Sequence, residues 1–102
     1  LVELVTLFLR DTPARLRELE PRPLVAGPTA RVAHAVKGSA GNLGATYMQD
    51  LASALEQAGH QGAAPDVLAP MADALCAEYA RVAAYLQAVV ATRADGSGTT
   101  LG

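Results

Sequence analysis

A second cysteine, a tryptophan, a second lysine and any long apolar run are all missing from this chain of 102 residues, and each absence narrows what the molecule can be. Cys76 stands alone, so there is no internal disulfide and no cysteine zinc cluster, and a reducing, cytoplasmic setting is the default expectation. No apolar stretch approaches the roughly 20 residues needed to cross a bilayer, so direct membrane insertion of this module is not expected. Eight basic residues against ten acidic ones give a net charge of −2, which offers no footprint for nucleic acid. Aromatics are confined to three tyrosines and one phenylalanine, although 51% of the residues are hydrophobic. The core must therefore be built from Leu, Val and Ala, a palette that suits packed helices better than sheets.

What is present sorts into four helical segments. Over roughly residues 1–19, Leu1, Leu4, Val5, Phe8, Leu16 and Leu19 recur at helical spacing, while Pro13 removes a backbone donor, so a kink or break is expected near Thr12. The stretch "EPRPLVAGP" carries three prolines and a glycine and reads as a connection with room for one short helical turn. A second helix is expected from a Thr29 cap to Gly44. A third is expected from Thr46, with Gln49 at capping-box distance, to about Ala58. Pro65 suits the first turn of a fourth helix, whose Leu68, Met71, Leu75, Tyr79, Val82, Leu86 and Val89 step by three or four. Short connections among the last three helices favour antiparallel neighbours. The expected fold is therefore all-α, an up-and-down antiparallel four-helix bundle over residues 1–91, followed by a flexible Gly/Ser/Thr-rich tail or linker over 92–102. The ends, Leu1 and "TRADGSGTTLG", read as cuts or linkers, which suggests one module of a longer protein.

The segment "AHAVKGSAGNLGA", residues 33–45, concentrates the chemistry: a histidine, the only lysine and three glycines. At about 100° per residue, Val36, Ser39 and Leu43 fall within about 40° of Val32 and form, with Ala40, the stripe expected to face the core. His34 lies about 200° round from Val32, with Ala30, Lys37, Gly38, Gly41 and Ala45 within about 60° of it. The ring is thus expected in solvent, among residues without bulk. Each glycine inside a helix costs up to about 1 kcal/mol relative to alanine. Either of two uses would compensate: close approach of another protein to His34, or close packing against a neighbouring helix. Lys37, one turn from His34, is placed to hold an anion carried on the ring.

The segment resembles the phosphorylation motif of histidine phosphotransfer (HPt) domains, a His followed by two variable residues and then Lys-Gly-Ser/Ala, with a Gly-Ala pair closing the helix. His34, Lys37, Gly38, Ser39, Gly44 and Ala45 supply those elements. "LASALEQAG" on the third helix is similar to the segment that packs beside the histidine in that family, and the first and last helices extend the resemblance over most of residues 1–91. "EPRPLVAGP" is shorter and richer in proline than the family's usual entry to the histidine helix, and the tail has no counterpart.

The resemblance implies a phosphorelay intermediate rather than an enzyme. His34 would take a phosphoryl group from the aspartyl phosphate of a response-regulator receiver domain, in cis or in trans, and pass it to another. Lys37 would stabilise the phosphoryl oxygens, and Gly38 and Gly41 would give the partner clearance. Glu56 and Gln57 are the candidates to orient the ring. No cofactor or metal is expected in this domain, with Mg²⁺ supplied by the receiver. The expected context is a hybrid bacterial sensor kinase, whose cytoplasmic part would hold the module, or a stand-alone carrier. A helical interaction module that carries no phosphate is the alternative. His60, in a glycine-flanked loop, reads as an ordinary surface residue.

Overall fold

The computed structural model describes residues 2–100, with side chains described to Thr92. Four helices follow one another: α1 (Val2–Arg17), α2 (Ala26–Leu43), α3 (Thr46–His60) and α4 (Pro65–Thr100), with no strand among the described residues. They form an all-α four-helix bundle in which α2 and α3 pack most extensively. α4 lies against α3, and α1 against α2 and α4. Two residues join α2 to α3 and four join α3 to α4, lengths that suit antiparallel neighbours.

Each helix buries the stripe that its sequence period lays down. α1 contributes Val5, Phe8, Thr12 and Leu16, and α4 contributes Leu68, Ala72 and Leu75, with Tyr79 packed on Phe8 at a ring separation of 5.5 Å. Met48, Ala52 and Leu55 of α3 fill the centre, meeting Val36 and Ala40 of α2. Farther along α4, Val82, Leu86 and Val89 are only half-buried. α4 is continuous to Thr100, within the segment expected as a tail; residues 1, 101 and 102 lie outside the described residues.

Several local expectations need correction. Of the kink or break expected near Thr12, the break does not occur: α1 is one helix through Pro13. Proline removes one donor from the ladder, and here flanking burial of Phe8, Thr12 and Leu16 holds the helix together across the gap. No extra helix forms in the connection, which is a run of turns whose Leu19 and Leu24 insert into the core. Arg22 ties that connection to α4 through Asp73 at 2.7 Å.

α2 starts at Ala26, three residues before Thr29, which is buried within the first turn and is not the cap. Pro28 is the third residue of the helix, where a missing N–H costs nothing because first-turn donors lack intrahelical partners. The residue at the N-cap of α3 is Ala45, with no side-chain cap, so the expected capping box from Thr46 and Gln49 does not form. α2 does end at Gly44 as its sequence suggests. With φ at 73°, Gly44 donates its N–H to the Gly41 carbonyl, and Ala45 donates to Ala40 at 2.9 Å, the paired bonds of a Schellman stop that favour glycine in the left-handed region.

Candidate functional site

The site begins with how closely α2 and α3 approach. Gly59 is buried in the last turn of α3, where a Cβ would stand 2.7 Å from the Ala26 carbonyl oxygen and 2.8 Å from the Ala30 Cβ. Only glycine lets the end of α3 lie against the start of α2 in this way. Ala30, expected on the solvent side of α2, is therefore covered and only 1% exposed. The close approach carries Glu56, one turn before Gly59, to the edge of α2 that bears His34 and Lys37.

Glu56 is 9% exposed, a placement that would be costly for an unpaired carboxylate. Its oxygens are instead shared among three donors. Lys37 Nζ lies 2.6 Å from Oε1, His34 Nδ1 lies 2.8 Å from Oε2, and His60 Nε2 lies 3.4 Å from the same Oε2. Bonding from Lys37 is the main cause holding the Glu56 pKa down at about 2; burial pushes the other way, and the bonds from His34 and His60 lower it further. Glu56 is thus a carboxylate near neutral pH, able to accept hydrogen bonds and not to donate them. It follows that Nδ1 of His34 carries the proton of their shared bond. In the neutral ring the lone pair then belongs to Nε2, on a side chain that remains 69% exposed.

The sequence candidates occupy distinct places around this centre. Lys37 is half-buried, tucked along the helix toward Glu56. Gly38 is exposed, and a Cβ there would meet nothing within 4 Å. Gly41 differs: a Cβ would fall 2.8 Å from Gln49 Nε2, so the Gln49 side chain of α3 occupies the space that the glycine leaves. Gln57 is exposed and forms no hydrogen bond with His34 among the described residues; the carboxylate beside it meets the ring. Ser39 is half-buried and bonds back to the Ala35 carbonyl at 3.2 Å.

His60, expected as an ordinary surface residue, instead joins the cluster through Glu56. It is the last residue of α3 and not part of a loop, and its spacing of four from Glu56 is the signal that could have found it. Among the described residues, no group of three or more His, Cys, Asp or Glu could hold a metal ion, and no helix is long and apolar enough to cross a membrane.

Comparison with known proteins adds one result. The family model described as Hpt domain matches residues 3–91, which spans all but the far end of the helical bundle. No curated protein and no solved structure matches the chain. The match includes α2 with His34, Lys37 and Gly38 and α3 with Glu56, and by it the chain belongs to the Hpt domain family.

Proposed function

We infer that His34 accepts a phosphoryl group through Nε2 from the aspartyl phosphate of a receiver domain and hands it to the aspartate of another. Membership of the Hpt family makes histidine phosphotransfer in a phosphorelay the general activity, and makes the chain a phosphocarrier and not an enzyme. The observation that carries the residue-level reading is the 2.8 Å bond from His34 Nδ1 to Glu56, which leaves the nucleophilic lone pair on Nε2 of a largely exposed ring.

The chemistry balances without a base in this domain. As the Nε2–P bond forms, the bond from phosphorus to the aspartyl oxygen breaks, and its electron pair leaves with the receiver carboxylate. No proton is lost, so the phosphorylated ring is an imidazolium with its proton still on Nδ1. Glu56 stabilises that positive charge through the bond it already holds. The phosphoryl group brings nearly two negative charges, and Lys37, one turn from His34 on the same helix and already beside the Glu56 that bonds the ring, is the cation we assign to it. Positioning and charge neutralisation are what phosphoryl transfer chiefly demands. A Mg²⁺ in the receiver would supply the remaining neutralisation, and the exposed, open flank at Gly38 would let the receiver surface approach the ring.

The proposed setting is a hybrid bacterial sensor kinase or a stand-alone carrier in the cytoplasm, with receivers as partners in cis or in trans. An active receiver domain charged with a small acyl phosphate tests the assignment. The wild-type chain should take up acid-labile, alkali-stable phosphate, and Lys37→Ala should slow that uptake several-fold. A chain that binds the receiver but takes up no phosphate would be an interaction module instead.

A further inference from the structure

His60 is the one member of the cluster for which the transfer reaction has not yet accounted. Three donors share two carboxylate oxygens, and their loyalties differ. Lys37 holds Oε1 at 2.6 Å before any phosphate is present. A phosphoryl group on Nε2 of His34 competes for that ammonium, because it offers more negative charge and several oxygen acceptors. As Lys37 turns toward the phosphoryl oxygens, Glu56 loses its partner on Oε1 while remaining mostly buried. Its orientation then depends on the donors at Oε2. One of these is the reacting ring itself. The other is His60, one turn farther along α3 on the same helix as Glu56, and independent of any movement in α2.

We propose that His60 is a positioning residue for phosphotransfer: it holds Oε2 of Glu56 against Nδ1 of His34 while Lys37 is engaged with phosphate. The proposal rests on the reading of His34 as the phosphoacceptor and extends it to a residue of α3 that acts through Glu56. His60 acts through one oxygen, so its Nε2 must donate there. A glutamine at this position can place its amide N–H₂ at similar reach and needs no charge to donate.

The experiment uses the whole chain as wild type, His60→Ala and His60→Gln. Long-range ¹H–¹⁵N correlation of the His34 ring reports which nitrogen carries the proton, and uptake of phosphate from an acyl-phosphate-charged receiver domain reports transfer. Since His60 is largely exposed at the end of α3, the alanine variant should keep its fold, as far-ultraviolet circular dichroism will show. In wild type the proton should sit predominantly on Nδ1. His60→Ala should lower the Nδ1–H population and slow transfer several-fold, and His60→Gln should restore both. A His60→Ala variant with wild-type tautomer and wild-type transfer would overturn the proposal and leave the assignment of His34 standing. A wild-type chain that takes up no phosphate on His34 would overturn that assignment and the proposal with it.

Discussion

A carboxylate only 9% exposed is tolerated at Glu56 because Lys37, His34 and His60 divide its oxygens between them. The consequence is a specific dependence on pH. The Glu56 pKa is lowered from 4.5 to about 2 in the folded chain, so the folded state binds the proton less readily than the unfolded one. Glu56 therefore contributes stability that is fully present above about pH 4.5 and lost as the pH falls toward 2. Glu56→Gln removes the titrating group. The difference in melting temperature between wild type and Glu56→Gln should be constant near neutrality and should shift against wild type as the pH drops through that window. A difference independent of pH between 2 and 5 would mean that Glu56 has an ordinary pKa.

Lys37 gives a second test at the same scale, since its charge serves Glu56 in the structure and, on the proposed mechanism, the phosphoryl group after transfer. Lys37→Ala should shorten the phosphohistidine lifetime several-fold, and Lys37→Arg should largely preserve it. Because exposed charges are screened, added salt should narrow the gap between wild type and the alanine variant. Identical lifetimes in all three chains at low ionic strength would separate Lys37 from the phosphoryl group.

On α2 and α3, one residue type meets three different surroundings. Gly38 faces open space, Gly41 faces the Gln49 side chain, and Gly59 faces the backbone of α2. Gly38→Ala should raise stability by about 0.5–1 kcal/mol, because alanine is the better helix former and meets no obstacle. Gly59→Ala should lower it by about 1–3 kcal/mol, because the new Cβ would overpack against the Ala26 carbonyl and Ala30. That variant should also weaken the Glu56–His34 bond by pushing α3 outward. Chemical denaturation of both variants measures the two signs, and a shared sign would contradict this account of the helix interface. Gly38→Leu should slow phosphotransfer sharply without loss of stability, by holding the receiver away from His34.

In α1, Thr12 Oγ1 is buried with no hydrogen-bond partner among the described residues. Thr12→Val, nearly the same shape without the polar atom, should stabilise the chain by about 1 kcal/mol. A loss of stability in the same denaturation measurement would show that the hydroxyl is satisfied in solution.

For the molecule as a whole, the parts that could be read in the sequence are those set by local periodicity. The three- and four-residue steps of α4 place Leu68 and Leu75 in the core, and the stop at Gly44 follows from its left-handed backbone. His34 could be placed in solvent because its angle on α2 is fixed by Val32 and Val36, whose burial is local to that helix. What escaped depends on approach between helices. Ala30 shares the angular sector of His34, yet α3 covers it where Gly59 permits contact, and Gly41 is filled by a residue from the next helix. The start of α2 was obscured because Pro28 reads as a breaker until its place in the first turn is known. Glu56 was reached through the family resemblance and not through periodicity, while His60 required the last turn of α3 to extend beyond Ala58.

The central claim is that an exposed imidazole on α2 is the site where the bundle carries phosphate. The most direct measurement is phosphoryl transfer from an acyl-phosphate-charged receiver domain to wild type and to His34→Gln, followed by thermal unfolding of both. Wild type should gain acid-labile, alkali-stable phosphate and His34→Gln none, with unfolding free energies that agree within about 1 kcal/mol because the amide can donate to Glu56 in place of Nδ1 while Lys37 and His60 keep their bonds to it. Acid-labile phosphate retained on His34→Gln would contradict the account.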